Sequence, residues 1–281
     1  MTAPTIRINL AGVTARIQRS LRRATNLVAI GLNAPTTTTS GAVTGGGIEF
    51  RYATNEPWTP DTAQREWVRW ILLNGFRDSA ESLAIVLEEA RVVLAAWRLQ
   101  LDKSEVTLSD WQDTIGKEGR RFHRLGLPDK INFLADQYGL KMKPALVEQV
   151  LTINAARNCL VHRGGKITER DRNCETGFEL KWRATVALAQ GPDGEREIEP
   201  PILLNEGEGV GIATRPRQRL FAIGDDFTVS ADEFAQVCWT LFLFVQALAE
   251  KLEEVGRSQG IEAGSRSIPT FGGLPALAAC E

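Results

Sequence analysis

The sequence predicts a mainly α-helical fold, a helical bundle with a small antiparallel β insertion before its last helix. Apolar residues recur at helical spacing through most of the region from 56 to 256. Between about 167 and 226 the pattern changes to an alternation of apolar and polar residues, which is typical of strands. Ser230 and Glu233 then form a capping box in front of a strong apolar stripe, which predicts the closing helix.

The composition is that of an ordinary globular protein. The chain has 281 residues, of which 43% are hydrophobic and 24% charged, so it can bury a sizeable core in one domain or two. The net charge of −2 gives no general attraction for nucleic acid, so RNA would need a local basic patch. We expect no membrane span and no secretory leader. The four scattered cysteines form no CxxC pair, which predicts reduced thiols and a cytoplasmic location.

Residues 1–55 are predicted to form a disordered or flexible basic arm. The first acidic residue is Glu49, and the residues before it include five arginines and no lysine. Thr36 to Gly47 is of low complexity and offers little apolar surface for a core. An organelle presequence is the alternative interpretation. Residues 257–281 are rich in Gly, Ser and Pro, which predicts a disordered tail.

The first helix of the folded region is predicted to start at Thr59–Pro60–Asp61, where an N-cap precedes a proline. The helical pattern continues without an internal proline to about Leu101, which is long enough for one helix or for two. Gly75 marks either a break or a close contact between helices. Its tryptophans are expected to pack in the core, with a base-stacking platform as the alternative.

A second helix is predicted after Ser104 or Ser109, and a short third helix from Pro128 to Tyr138. The second helix carries the densest basic cluster of the folded region. This cluster could hold an RNA backbone or simply face water. The substrate-binding candidates in it are Arg120, Arg121 and Arg124.

The helix that starts at Pro144 carries the most informative group of side chains. It ends at Gly164–Gly165, which can form a left-handed cap, and its last turns present Arg157, Asn158 and His162. Asn158 and His162 are four residues apart and share a face, while Arg157 and His162 can border one groove. Arginine can fork onto phosphate oxygens and histidine can move a hydroxyl proton, so this set suits a phosphodiester.

The sequence RNCLVH, from Arg157 to His162, resembles the signature of the HEPN superfamily. The GGKI that follows it is similar to what trails the motif in many stand-alone members. The resemblance covers roughly Asp61 to Gly165 and the last helix. It implies a HEPN-like helical bundle of the toxin–antitoxin or phage-defence type. It also implies a metal-independent endoribonuclease without a cofactor, whose groove lies between the two subunits of a homodimer.

The same resemblance implies roles for the motif residues. His162 and Arg157 match the catalytic pair, with His162 as general base or acid and Arg157 as the group that stabilises charge on the phosphorane. Asn158 matches the polar residue that follows the arginine and would orient His162 or a phosphate oxygen. Lys166, just after the motif, joins the substrate-binding candidates.

Several alternatives remain open at this point. The chain could be a catalytically silent HEPN-like module that binds RNA, a nucleotide or a protein partner. It could pair with an antitoxin or a nucleotidyltransferase, or itself neutralise a toxin. Arginine and histidine at a helix C-terminus are also favourable for the helix dipole alone. His123 is the alternative proton carrier. Cys159, His162 and Cys174 lack a fourth zinc ligand, so no metal is expected.

Overall fold

The structure, a computed structural model, describes residues 10–34, 42–45, 48–51, 59–102, 107–191, 194–198 and 204–260. In chain order the elements are α1 (Leu10–Asn33), β1 (Ala42–Gly45), β2 (Ile48–Arg51), α2 (Pro60–Asp102), α3 (Leu108–Trp111), a π-helical turn (Gln112–Lys117), α4 (Glu118–His123), α5 (Leu127–Tyr138), α6 (Pro144–Arg163), a 3-10 turn (Glu169–Asp171), β3 (Gly177–Gly191), β4 (Gly194–Ile198), β5 (Gly209–Ala222) and α7 (Ala231–Ser258).

Helix α2 is the axis of the molecule. It runs unbroken for 43 residues and is about 64 Å long. The sequence allowed one helix or two in this region, and the structure has one. Gly75 is not a break but a close contact, because a Cβ there would lie 2.3 Å from Cγ2 of Val28 and 3.1 Å from Cζ of Phe234. Two neighbouring helices, α1 and α7, therefore approach the backbone of α2 at this point.

The prediction of a flexible arm over residues 1–55 is wrong for residues 10–33, which form α1. This helix buries one stripe against α2 and α7, made of Val13, Ile17, Leu21, Ala24 and Val28. The stripe has the spacing of a helix face, and the arginines occupy the opposite, exposed side. Arg16 also pairs with Glu89 of α2 at 2.8 Å. The basic character that suggested a flexible arm therefore belongs only to the exposed face of this helix.

Part of the expected low-complexity linker forms a two-stranded sheet. Strands β1 and β2 pair antiparallel, from Ala42 opposite Arg51 to Gly45 opposite Ile48. The rest of that linker, residues 36–41 and 46–47, lies outside the described residues, as do residues 261–281 of the expected tail.

The expected fold class, a HEPN-like helical bundle with a small β insertion, needs correction. The chain is mainly helical, and a three-stranded antiparallel sheet of order β4-β3-β5 precedes the last helix. The sheet is not a small insertion, because β3 and β5 span 15 and 14 residues. Phe178, Leu180 and Phe221 are buried in the same core as the helices. The sheet is therefore one wall of the core, and the helices form the other.

One edge of β3 is covered by helices over the stretch that has no strand neighbour. Strand β4 pairs only with residues 187–191 of β3, so the backbone groups nearer its start need other partners. The hydroxyl of Thr152 in α6 accepts a hydrogen bond from the N–H of Lys181 at 2.9 Å. That of Thr240 in α7 accepts one from the N–H of Arg183 at 2.8 Å. These two bonds fasten α6 and α7 to the sheet.

Just before β3, the side chain of Asn173 continues this edge. Its Oδ1 accepts a hydrogen bond from the N–H of Glu179 at 2.7 Å, and its Nδ2 donates to the carbonyl of the same residue at 2.9 Å. On this edge of β3, the backbone N–H groups of Glu179, Lys181 and Arg183 are therefore bonded by side chains rather than by a neighbouring strand.

The last helix, α7, begins as the sequence predicts. The Ser230 hydroxyl accepts a hydrogen bond from the N–H of Glu233, and the Glu233 carboxylate accepts one from the N–H of Ser230. Within the part of the chain that the structure describes, none of the helices combines the length and the apolar character that a membrane span requires.

The contact at Gly75 predicts the effect of adding a single methyl group. Alanine is normally the better helix residue by about 1 kcal/mol, but here its methyl would overlap Val28, so Gly75→Ala should lower the free energy of unfolding by about 1–3 kcal/mol. The measurement is urea denaturation followed by circular dichroism. Gly12→Ala, where nothing lies within 4 Å of the added Cβ, is the control and should be neutral or stabilising. Equal effects of the two substitutions would show that α1 does not pack here.

The hydrogen bond between Thr240 and the edge of β3 leads to a second prediction. Valine at 240 keeps the shape of threonine but removes the hydroxyl, which leaves the N–H of Arg183 without its partner next to a fully buried position. We expect Thr240→Val to lower the free energy of unfolding by about 1–3 kcal/mol. Thr240→Ser keeps the hydroxyl and should be closer to the unsubstituted protein. The interpretation is wrong if the valine variant is as stable as the serine variant in denaturant titration.

Candidate functional site

The end of α6 is fixed in place by its cap and by two loops. Gly164 and Gly165 adopt positive φ values of 60° and 85°, and the N–H of Gly165 donates to the carbonyl of Cys159. The carbonyl of Gly165 accepts a hydrogen bond from the N–H of Phe227 at 2.7 Å, and Ile167 bonds to the backbone of the same loop. The motif therefore ends at a rigid turn.

Phe227 connects this turn to the core. Its ring contacts Phe76 of α2 and Phe221 of β5, each with centroids 5.2 Å apart, and Phe178 of β3 at 6.5 Å. On the other side, the Arg163 guanidinium makes two hydrogen bonds to Asp171, whose side chain is buried and caps the 3-10 turn. The position of the motif is thus set by α2, the sheet and the 3-10 turn together.

Arg157 is held by two oxygen atoms. Its Nη2 donates to Oε1 of Glu81 in α2 at 2.8 Å, and its Nη1 donates to Oδ1 of Asn158 at 3.1 Å. The Nε atom is buried and has no hydrogen-bond partner among the described residues. About a quarter of the Arg157 side chain is exposed. The guanidinium is therefore oriented at the surface by two of its five N–H groups.

The structure does not give Asn158 the expected contact with His162, because its amide oxygen is bonded to Arg157 instead. His162 lies on the exposed side of the last turn of α6. Its ring makes no hydrogen bond or ion pair with any other residue that the structure describes. The motif thus presents one oriented cation and one accessible imidazole.

Two exposed apolar side chains flank the pair of Arg157 and Glu81. Val161 follows Arg157 by one turn in α6 and is 40% exposed, and Ile85 follows Glu81 by one turn in α2 and is 45% exposed. The surface around the motif therefore includes two exposed apolar side chains.

Lys166 lies beyond the cap and belongs to a different contact. Its Nζ is 3.3 Å from Oδ1 of Asp226, and more than half of its side chain is exposed. Its carbonyl accepts a hydrogen bond from the thiol of Cys159, which is fully buried. Burial raises the pKa of this thiol, and the nearby Asp171 raises it further. Cys159 is therefore a core residue in this structure.

Arg120, Arg121 and Arg124 are exposed on α4 and the residue after it, and none of them pairs with a carboxylate of another described residue. The neighbouring His123 is 82% exposed, with Nδ1 3.4 Å from Oε1 of Glu88 in α2. Arg120, His123 and Arg124 line one depression together with Glu88 of α2. Arg157 of α6 lies beside Glu81 of the same helix α2.

Glu81 and Glu88 are seven residues apart, so they share a face of α2 and are separated by about 10 Å along its axis. The motif and the basic cluster therefore lie on one side of the molecule, in line along a single helix. The sequence alone does not reveal this alignment, because neither glutamate belongs to a recognisable motif. Among the described residues, no group of three or more His, Cys, Asp or Glu side chains could hold a metal ion.

Three comparisons with known proteins gave no match: no family model fits the chain, and neither a curated protein nor a solved structure is similar to it.

Proposed function

We propose that this protein is a metal-independent endoribonuclease that cleaves RNA by attack of the ribose 2′-hydroxyl. The observation that carries the proposal is the arrangement at the end of α6, where Arg157 is oriented at the surface and the His162 ring is accessible. The resemblance of the motif to the HEPN signature supports the same chemistry. On this proposal the protein acts in the cytoplasm, in a toxin–antitoxin or phage-defence system.

The proposed reaction needs two proton transfers and one site for negative charge. One imidazole removes the proton of the 2′-hydroxyl while O2′ attacks phosphorus, and the bond from phosphorus to O5′ breaks. A second group protonates the leaving O5′, which leaves a 2′,3′-cyclic phosphate and a 5′-hydroxyl. Arg157 stabilises the charge that develops on the phosphoryl oxygens. Asn158 positions Arg157 rather than His162.

A homodimer fits this requirement. Each copy contributes one His162, and two copies across a shared groove supply the base and the acid. The exposed Val161 and Ile85, on either side of the Arg157–Glu81 pair, are the apolar surface that such a contact would bury. RNA is the substrate, and an antitoxin or a nucleotidyltransferase is the kind of protein partner that the resemblance suggests.

Cleavage in the presence of EDTA tests this function. The wild-type protein should cut RNA without metal and leave cyclic-phosphate ends. His162→Ala should reduce the rate by about 10²–10⁴-fold, because it removes the proton carrier. Arg157→Ala should reduce it by about 10²–10³-fold, and Arg157→Lys by less. The products are separated on gels and their ends are mapped.

Arg215→Ala is the matched control, because Arg215 is also an exposed arginine paired with one glutamate, here Glu195 of β4, and it lies on β5 rather than on α6 or the 3-10 turn. This variant should cleave at the wild-type rate. Full activity in a folded His162→Ala protein would contradict the proposal, and so would cleavage that EDTA abolishes.

A binding module without catalysis is the second candidate, and one observation favours it. In the structure the Arg157 charge is already paired with Glu81, and no described residue orients the His162 ring. Such a site would bind RNA, a nucleotide or a partner but would not turn over. Absence of cleavage by the folded wild-type protein, together with RNA binding that Arg157→Ala weakens, would support this candidate.

The pair between Arg157 and Glu81 makes a further prediction. An RNA phosphate must compete with the Glu81 carboxylate, which is 43% exposed and therefore costs little to displace. Glu81→Gln should tighten RNA binding about twofold to fivefold, measured by fluorescence anisotropy in the inactive His162→Ala background. Glu148→Gln, which removes a similar exposed partner from Lys181, is the control and should leave binding unchanged. Weaker binding by Glu81→Gln would show that Glu81 supports the site instead of competing with the substrate.

A further inference from the structure

A groove crosses the surface of the segment from α3 to α4, on the side of α2 that carries Glu88. One half of the groove is lined by Trp111, Asp113, Lys117 and Arg120, and Asp113 pairs with Lys117 at 3.1 Å. The other half is lined by Arg120, His123 and Arg124. The two halves are adjacent, because both are lined by Ile115, Gly116 and Arg120, and we call them together the π-turn groove.

The backbone of the π-turn groove is unusual. Residues Gln112–Lys117 form a π-helical turn, a conformation that is rare and frequent at functional sites. Two glycines keep the middle of the groove free of side chains. A Cβ on Gly116 would have only Nη1 of Arg120 within 4 Å, whereas a Cβ on Gly119 would lie 2.8 Å from Nη2 of Arg91. A ligand can therefore approach the backbone at Gly116, and the buried Arg91 packs against Gly119.

The buried arginine is incompletely bonded. Only 4% of the Arg91 side chain is exposed, and its Nε has no hydrogen-bond partner among the described residues. The other donors make long contacts, Nη1 at 3.5 Å from Glu118 and Nη2 at 3.4 Å from the carbonyl of Ile115. Such long bonds leave much of the donor strength of the guanidinium unused.

The two carboxylates near Arg91 are shared with other donors. Glu118 accepts a 2.5 Å hydrogen bond from Tyr138, and burial together with this bond raises the pKa of the Tyr138 hydroxyl. Glu88 accepts a 2.8 Å hydrogen bond from the buried Lys130. The charged groups around this end of the groove are thus four cations and two carboxylates, namely Arg91, Lys130, Arg120, Arg124, Glu88 and Glu118. The excess of positive charge favours an anionic ligand.

We infer that the π-turn groove binds single-stranded RNA, with a base stacked on Trp111 and backbone phosphates bound by Arg120 and Arg124. The choice of RNA rests on the proposed function. Proteins bind single strands through an aromatic platform next to a positively charged track, and this groove has both. Phe122, the aromatic residue within the basic cluster, is fully buried, but the π-helical turn brings Trp111 and Arg120 to one groove. The groove lies about two helical turns of α2 from Glu81 and Arg157.

The test is fluorescence anisotropy with a labelled single-stranded RNA of mixed sequence, in the His162→Ala background so that cleavage cannot contribute. Trp111→Ala should weaken binding about tenfold, in the range of one lost stacking contact. Arg120→Ala/Arg124→Ala should weaken binding and make the slope of log affinity against log salt shallower by about 1.4, for two lost phosphate contacts. An RNA duplex of the same length should lose little affinity in Trp111→Ala.

Matched controls remove the same chemistry from other surfaces. Trp70→Ala removes a tryptophan that is 56% exposed on α2, and Arg23→Ala/Arg257→Ala removes two exposed arginines of α1 and α7. Both should bind as the background protein does, and thermal unfolding shows that every variant is folded.

The inference is overturned if the background protein does not bind the RNA, or if the groove variants bind as tightly as their controls. Its failure is distinct from failure of the proposed function. Loss of binding in the groove variants while the wild type never cleaves would keep the groove and reject the nuclease. Cleavage by the wild type that is unaffected in the groove variants would keep the nuclease and reject the groove.

Discussion

The fold depends on the hydrogen bonds made by the backbone groups on the edge of β3 that has no neighbouring strand. A buried strand edge with unpaired N–H and C=O groups is costly, and this protein bonds it with Asn173 and with the hydroxyls of two helices. Thr152 thereby fixes α6 and Thr240 fixes α7 against one strand, so β3 sets the position of the two helices relative to each other. Arg157 is five residues beyond Thr152 in α6, and its position follows from that bond together with the capped end of the helix.

The elements that local chemistry determines could be predicted from the sequence. Proline or a capping box marks the starts of α2, α5 and α7, and left-handed glycines end α5 and α6. Alternating residues identified β3 and β5. These features were predictable because each depends on a few neighbouring residues.

The errors concern features that depend on contacts between distant residues. Helix α1 has a clear apolar stripe, but its arginines and the lack of acids suggested a solvated arm, because the helix that covers the stripe is not visible in the sequence. The same limit applies to the site. The spacing of Arg157, Asn158 and His162 was predictable within one helix, whereas Glu81 lies 76 residues away in the chain. The amide oxygen of Asn158 accepts a hydrogen bond from Nη1 of Arg157, a contact that the spacing of the motif alone did not indicate.

The unbroken length of α2 has a consequence for the proposed contacts with RNA. Glu81, which contacts the motif, and Glu88, which lies beside the basic cluster, belong to one helix that has no break between them. Two sites on one rod keep a constant separation, here about 10 Å along the axis. On the two proposals above, a strand of RNA held at the π-turn groove would meet Arg157 at a fixed offset of a few nucleotides. The register of cutting would then be set by the geometry of one helix, independently of the nucleotide sequence.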